Sequence, residues 1–184
     1  MPRTNSYEDS LRETFGSLID GLPLHNAHKG YLRARWLDQV LWMERKAEAT
    51  KKRYYWLRLI TIVGGVIVPA LVSLNLSGRQ GSYVGWITFA ISLMVALSAA
   101  VEEFFHYGER WRHYRRTVEE LKSTGWEFFQ LSGRYRRYRS DPTSAYPLFA
   151  SHVEQLLRQD VEAYISEVVQ EKEEEQQKDS VKLP

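Results

Sequence analysis

Two long stretches without a charged side chain constrain this sequence most strongly. Twenty consecutive uncharged residues lie between Arg58 and Arg79, and twenty-two more lie between Arg79 and Glu102. A bilayer core of roughly 30 Å is crossed by about 20 helical residues that rise about 1.5 Å each. Both stretches reach that length, and the flanking segments are too polar to bury two apolar helices in a soluble core. The sequence therefore predicts two membrane spans.

The segment between the two stretches, SGRQGS at residues 77–82, contains two glycines and is typical of a short turn. Helices joined by so short a turn are antiparallel, so the spans are predicted to form a hairpin. Six basic residues lie between positions 45 and 58 and four lie between positions 110 and 116, while the turn carries only Arg79. Cytoplasmic flanks are enriched in Lys and Arg. The pattern predicts a multi-pass protein of the cell inner (plasma) membrane with both termini in the cytoplasm.

Helix-forming segments flank the hairpin. YLRARWLDQVLWMERKAEATKKRYYWLRL contains no glycine or proline and predicts one helix that continues into the first span. A second helix is predicted after the other span, with Gly125 as a local signal against helix, and a loop with Pro142 and Pro147 as breakers comes next. The last predicted helix is amphipathic. Its apolar stripe and the one from Leu32 to Met43 are expected to need a second subunit for burial, which predicts a homo-oligomer.

The fold class predicted is an all-α membrane protein, a two-helix transmembrane hairpin with long cytoplasmic helical extensions that assembles as a homo-oligomer. The predicted segments are an N-terminal cytoplasmic segment at 1–29, a cytoplasmic helix at 30–56, the first span at 57–76, an external turn at 77–82, the second span at 83–104, a cytoplasmic helical region at 105–170 and a disordered charged tail at 171–184.

Polar and small residues recur along one face of the second span. Alternating steps of four and three residues keep side chains on one helix face. Lipid cannot satisfy polar side chains, so such a stripe normally faces protein or water. In a ring of hairpins it would line a pore, and one glutamate per subunit would form an acidic, cation-selecting ring. The candidate pore-lining residues are Thr88, Ser92, Val95, Ala99, Glu102 and His106.

Other interpretations of these residues stay open. Thr88 and Ser92 would also be explained by hydrogen bonds to their own helix, with Glu102 simply marking the membrane interface. A divalent ion could bind the carboxylates and histidines at the end of the stripe, but one helix rarely supplies suitable geometry, and no metal or cofactor is predicted.

Further residues have predicted structural or electrostatic roles. In the first span, two adjacent glycines favour close helix contact and a proline favours a kink. Charges at the ends of the spans would act at a pore mouth, where arginine favours anions and glutamate favours cations. The packing residues are Gly64, Gly65 and Pro69, and the mouth charges are Arg58, Arg79 and Glu103.

A basic segment follows the second predicted cytoplasmic helix. Its arginines alternate with tyrosines in a pattern that also occurs in nucleic-acid-binding proteins. Beside two membrane spans, contact with anionic lipid headgroups is the simpler interpretation, and no nucleic acid partner is expected. The residues concerned are Arg134, Arg136, Arg137 and Arg139.

The order of these segments resembles the SLATT superfamily, and in particular its member known as domain of unknown function 4231. The resemblance covers roughly residues 30–168. It is carried by an R-W-x-x-Q helix (Arg35, Trp36, Gln39), an apolar span containing Pro69, the YRRTVEELK stretch and the HVEQLLRQDVEAYI helix. It implies two membrane helices with long cytoplasmic extensions and a pore-forming or membrane-perturbing role, in some members as an effector of bacterial defence.

The sequence contains no motif typical of an enzyme. No P-loop, GxGxxG, HExxH or nucleophile elbow is present, and the chain contains no cysteine. The leading hypothesis is a homo-oligomeric ion-conducting membrane pore with a preference for cations. Its expected partners are other copies of the chain, the lipid bilayer and permeant inorganic ions. The alternative hypothesis is a membrane-anchored scaffold or effector module that recruits a cytoplasmic partner.

Overall fold

Helices make up nearly all of the part of the chain that the structure describes. The computed structural model describes the backbone of residues 6–74, 78–138 and 141–181, and side chains within 7–74, 81–138 and 141–162. The elements are α1 (Ser6–Gly21), α2 (Asn26–Tyr31), a π-helix (Leu32–Leu37), α3 (Asp38–Ser73), α4 (Gly78–Phe105), α5 (Tyr107–Phe129), a 3₁₀-helix (Gly133–Tyr138) and α6 (Pro142–Val181). No strand occurs in these ranges, so the all-α prediction is confirmed.

The elements divide into two compact units. We call Met1–Trp42 together with Arg116–Pro184 the terminal unit, and Met43–Arg115 the hairpin unit. The terminal unit contains α1, α2, the π-helix, all of α6 and most of α5. The hairpin unit contains most of α3, all of α4 and the start of α5. The long helices α3 and α5 therefore contribute residues to both units.

Two helical segments are long and apolar enough to cross a membrane. They are Asn26–Ser73 and Gly81–Phe105, and only 6% of the most apolar window of each is buried. The first is helical from the start of α2 to the end of α3, as the sequence predicted. A core helix of a soluble protein would be mostly buried instead. The apolar side chains of both segments thus have little protein around them in a single chain.

The core of the terminal unit is built around Trp36. Its indole is fully buried, and its ring centroid lies 5.0 Å from that of Phe15 and 5.9 Å from that of Phe149. The indole Nε1–H donates a hydrogen bond of 3.1 Å to the carbonyl oxygen of Leu121 on α5. A buried indole needs such a partner, because its N–H would otherwise be desolvated without compensation.

Gly125 is explained by the same indole. A Cβ at this position would overlap the six-membered ring of Trp36. α5 continues through Gly125 without a break. The glycine therefore serves close packing on Trp36, which outweighs its low helix propensity.

The first apolar stripe outside the hairpin and the start of the second are buried within one chain. Leu32, Trp36 and Leu41 are fully buried, as are Phe149 and Val153 on α6. The expectation that these stripes need a second subunit for burial is therefore wrong for the stripe from Leu32 to Met43 and for α6 as far as Leu157, whereas Val161 is 55% exposed. The core forms because α1, α5 and the 3₁₀-helix also supply large apolar side chains, among them Phe15, Phe128 and Tyr135.

Three predicted non-helical segments are wholly or partly helical. The external turn predicted at 77–82 is already helical from Gly78, and α6 continues to Val181 across most of the predicted disordered tail. The tail is rich in Glu, Gln and Lys, which are good helix formers. Pro142 is the first residue of α6, where proline loses no intrahelical hydrogen bond. The loop predicted before it contains the 3₁₀-helix.

Asp141 explains why a helix begins at Pro142. Its carboxylate accepts hydrogen bonds from the Thr143 backbone N–H, at 2.9 Å, and from the Ser144 hydroxyl. These bonds, the one from Ser144 foremost, hold the pKa of Asp141 below its ordinary value. The residue thus acts as an N-cap for an otherwise unsatisfied helix start.

Candidate functional site: the apolar hairpin

The antiparallel helices α3 and α4 contact each other along one seam. Gly64 is buried on α3, and a Cβ there would overlap the Val95 Cγ2 methyl group of α4 and lie 3.6 Å from the Ile91 Cγ2. Buried or half-buried positions recur every seven residues around this contact. On α3 they include Leu57 and Leu71, and on α4 they include Thr88 and Glu102. A period of 3.5 residues is typical of two helices packed side by side.

Gly64 lies at a close contact between the two helices. A small residue lets two helices approach closely, and here the glycine receives a valine side chain. Gly65 is exposed, and a Cβ there would meet nothing within 4 Å. Pro69 is also exposed and lies inside α3, which continues to Ser73.

The predicted pore-lining residues of α4 lie in different environments. The Thr88 hydroxyl donates to the Val84 carbonyl oxygen and the Ser92 hydroxyl donates to the Thr88 carbonyl oxygen, each at 2.8 Å. Both hydroxyls thus have partners within their own helix, which was the alternative interpretation. Val95 packs against Gly64 of the same chain, while Ala99 is exposed.

The two glutamates at the end of α4 differ in exposure. Glu102 is half-buried on the seam, whereas Glu103 is exposed one position further along. Neighbouring residues on a helix point about 100° apart, so the two carboxylates face different directions. Their difference in exposure follows directly from the position of the seam.

His106 interrupts the second apolar helix. α4 ends at Phe105, α5 begins at Tyr107, and His106 between them has a φ of +47°. That left-handed conformation is uncommon outside glycine, and histidine is among the residues that tolerate it. The predicted pore-lining stripe assumed one continuous helix from Thr88 to His106. The break at His106 changes the helix register, so residues beyond it do not extend the α4 stripe.

An aromatic cluster marks the base of the hairpin unit. The Tyr54 ring centroid lies 6.3 Å from that of Trp111 and 5.4 Å from that of Tyr55. A Cβ at Gly108 would lie 2.9 Å from the Tyr54 ring, so glycine allows this approach directly after the break. Tyr and Trp rings favour the headgroup level of a bilayer.

The predicted charged residues outside the seam are mostly exposed. Arg58 is exposed on α3, while the side chain of Arg79 lies outside the described residues. On the 3₁₀-helix, Arg134 lies 3.8 Å from a Glu127 carboxylate oxygen, whereas Arg136 and Arg137 are exposed. The predicted headgroup residue Arg139 also lies outside the described residues.

A polar cluster in the terminal unit was missed by the sequence interpretation. Arg35 Nε and Nη2 lie 2.9 and 3.0 Å from the two carboxylate oxygens of Glu154, and the Tyr31 hydroxyl donates to one of them at 2.8 Å. The hydrogen bonds from Arg35 and Tyr31 lower the pKa of Glu154 to about 2. Burial and the Glu154 carboxylate raise the pKa of Tyr31. The only sequence signal was Arg35 in the R-W-x-x-Q helix.

The Arg35–Glu154 pair predicts a pH-dependent contribution to stability. An unfolded Glu154 takes up a proton near its ordinary pKa of 4.5, whereas the folded carboxylate resists until about pH 2. Its contribution is therefore complete above pH 4.5 and is lost as the pH falls toward 2. With half of the Arg35 side chain exposed, solvent screening limits the contribution to about 1 kcal/mol.

Thermal unfolding in detergent between pH 7 and pH 2 tests this prediction. Glu154→Gln should be less stable than the wild type at pH 7, and the difference should vanish toward pH 2. Glu162→Gln, an exposed carboxylate on the same helix, is the matched control. If the difference in thermal stability between the wild type and Glu154→Gln did not change with pH, the predicted contribution of the Arg35–Glu154 pair would be contradicted.

No metal-binding group is evident in the described part of the chain. There, no three His, Asp or Glu side chains come together in an arrangement suited to a metal ion.

Comparison with known proteins identifies the family. A family profile described as "Protein of unknown function (DUF4231)" matches residues 38–143, more than half of the chain. No curated protein and no solved structure is similar enough to count as a match. The match includes both apolar helices and the start of α6, and it is compatible with the wider SLATT superfamily, which stays a prediction. The chain therefore belongs to the DUF4231 family.

Proposed function

We propose that this protein is a homo-oligomeric ion-conducting pore of the cell inner (plasma) membrane. The observation that carries the proposal is the exposure of apolar side chains on both helices of the hairpin. Val66 is 70% exposed, Trp86 71% and Phe104 78%. Exposed apolar surface on this scale is costly in water, while a bilayer accommodates it. A single hairpin encloses no path for ions, so conduction requires several copies.

The proposed orientation places both termini in the cytoplasm. Basic side chains flank the outer ends of the hairpin, as expected for the cytoplasmic side. Because the chain contains no cysteine, single cysteines at Ser82 and Ser180 report topology directly. An impermeant thiol reagent applied to intact cells should label Ser82→Cys and spare Ser180→Cys. The reverse labelling pattern would contradict the orientation.

Glu102 is the proposed source of cation preference. It lies at the end of α4 that this orientation places at the cytoplasmic mouth, and its carboxylate is half-buried. A ring of carboxylates concentrates cations and repels anions. In a salt gradient, Glu102→Gln should shift the reversal potential toward that of an unselective pore. Glu103→Gln, at the adjacent exposed position, is the matched variant, and an equal shift in both would remove the special role of Glu102.

Ion flux into liposomes tests the pore itself. The purified wild-type protein, reconstituted as an oligomer, should release or admit inorganic cations across the bilayer. A well-folded oligomer that conducts nothing under varied voltage, pH and divalent-ion concentration would contradict conduction and favour the scaffold.

The second candidate function is a membrane-anchored scaffold. The observation that favours it is that the terminal unit has its own aromatic core and a surface groove of about 540 Å³ between Tyr31 and α6. Glu154 and Arg158 line this groove and would suit a polar cytoplasmic partner. Arg158→Glu tests this candidate. If it abolished the cellular effect of the wild-type protein but left ion flux into liposomes unchanged, the scaffold function would be favoured over the pore function.

Anionic lipid headgroups are proposed partners of the 3₁₀-helix. Arg136 and Arg137 are exposed on it, and the Arg137 guanidinium carbon lies 5.1 Å from the centroid of the neighbouring Tyr138 ring. Basic side chains near a membrane surface attract anionic lipids.

A further inference from the structure

One side of the hairpin carries an exposed stripe on each helix. On α3 this stripe runs through Arg58, Gly65 and Val72, and on α4 it runs through Phe89, Ala96 and Glu103. We call these two stripes the open face. Each of these residues lies one position after a residue of the seam between α3 and α4. Successive residues of one stripe are seven positions apart in the sequence. All six are exposed in the single chain.

The two stripes lie on the same side of the hairpin. One step along a helix turns the side chain by about 100°, clockwise when viewed from the N-terminus. Because α3 and α4 are antiparallel, the same step turns in opposite senses when both are viewed from one end. Seam residues of α3 and α4 face each other. The residue that follows a seam residue on α3 and the residue that follows one on α4 therefore point to the same side of the hairpin. One step backward ends on the opposite side, where Val63 precedes Gly64 and Leu97 precedes the buried Ser98.

The open face carries one basic and one acidic residue at nearly the same height. The Gly64–Val95 contact sets the register of the two helices. Arg58 lies six residues before Gly64. On the antiparallel helix α4, the same height is reached six residues after Val95, which is two residues before Glu103. At 1.5 Å per residue the difference in height is about 3 Å. Neither side chain forms an ion pair within the described residues.

The surface of α4 at the outer end of the open face contains a shallow depression that no side chain of the same chain occupies. Ser82, Gly85, Trp86 and Phe89 surround a space of about 410 Å³ on α4. Their spacing of i, i+3, i+4 and i+7 is that of the hole which receives one side chain from a neighbouring helix. A Cβ at Gly85 would meet nothing within 4 Å. The equivalent glycine on the seam, Gly64, is filled by Val95 of the same chain.

We propose that a second copy of this chain docks on the open face, with Arg58 of each copy paired to Glu103 of its neighbour. This inference rests on the proposed membrane oligomer and names its interface. α3 of one copy lies antiparallel to α4 of the next, as α3 and α4 do within the hairpin. An axis along the membrane normal preserves height, so the arginine and glutamate meet at the same depth.

Charge complementarity selects a second copy over lipid as the occupant. Acyl chains would cover Val72 and Phe89 equally well, but they offer no partner to a guanidinium or a carboxylate. Another copy brings the opposite charge to each of these groups at the required height. Glycine in a helix is also less favourable than alanine, and close contact with another helix compensates for it.

Cross-linking between differently tagged copies tests the interface. One copy carries Ala96→Cys on the open face. The other carries Ile62→Cys, an exposed position on the same side at nearly the same height, one residue after the half-buried Thr61. The chain has no native cysteine, so any disulfide reports this pair. In membranes, mild oxidation should give a band of two chains. The control pair, Val63→Cys and Leu97→Cys, lies on the opposite side of the hairpin at nearly the same height in the membrane. It should give no two-chain band.

A charge exchange tests the proposed ion pair. Arg58→Glu and Glu103→Arg should each lose most of the cross-link, because each places like charges opposite one another. The double variant Arg58→Glu/Glu103→Arg should recover the cross-link. Equal cross-linking of the control pair, or no recovery in the double variant, would overturn the proposal.

These outcomes are independent of conduction. Cross-linking on the open face without ion flux would support the interface and contradict the pore. Ion flux from an oligomer that cross-links only on the opposite side would support the pore and overturn this interface.

Discussion

Replacing Trp36 by alanine should destabilise the terminal unit by about 3–5 kcal/mol, the cost typical of removing a fully buried aromatic side chain. The indole is 0% exposed and contacts the rings of Phe15 and Phe149, so its removal leaves a cavity at the centre of the core. Gly125 would enlarge this cavity, because it supplies no side chain to fill the space. Chemical denaturation of the full chain in detergent, followed by helix content, measures the effect.

Trp126→Ala is the matched control for this prediction. Trp126 also contacts Phe15, at 5.2 Å between ring centroids, but 40% of its surface is exposed. Its loss should therefore cost much less than the loss of Trp36. Equal destabilisation by the two substitutions would show that the core is not organised around Trp36.

Gly64→Val should separate the two helices of the hairpin, at a cost of about 1–3 kcal/mol for forced overpacking. Even a Cβ on Gly64 would overlap the Val95 methyl group, so the larger valine side chain should force the two helices apart at this point. Resistance to unfolding by a denaturing detergent measures the loss. The reciprocal double variant Gly64→Val/Val95→Gly moves the same side chain to the other helix and should recover much of the stability.

Gly65→Val is the control for this second prediction. The position is adjacent in sequence, and a Cβ there meets nothing within 4 Å in the single chain. The hairpin itself should therefore remain intact, although assembly through the open face should weaken. If Gly64→Val and Gly65→Val destabilised the hairpin equally, the seam would not run through Gly64.

The sequence by itself determined the helical class, the two apolar segments and the long helix leading into the first of them. These properties depend on the length of uncharged runs and on helix-forming composition, which are local and can be summed along the chain. The resemblance to the DUF4231 family was also correct for this reason, since the order of segments is a property of the chain. The matched residues 38–143 do not include Arg35, Trp36 or the HVEQLLRQDVEAYI helix. Segment ends were less well predicted, because Pro142 begins a helix when Asp141 caps it.

Only the tertiary structure decided which residue of each neighbouring pair faces the other helix. The sequence pattern assigned the same packing role to Gly64 and Gly65, and it placed Glu102 on a pore-lining stripe rather than at the contact between the two helices. The contact between Gly64 and Val95 selects Gly64. It buries the Glu102 side of α4 and leaves Glu103 on the open face.

The pairing of Arg35 with Glu154 and the packing of Trp36 on Gly125 also required the folded chain. Arg35 and Glu154 are 119 residues apart in the sequence, and neither has a neighbour that indicates the other. The break at His106 likewise depends on φ at one residue, where histidine tolerates a conformation without requiring it. Local patterns determine which segments are helical and apolar. Contacts between distant segments depend on shape and register, which arise only when the helices pack.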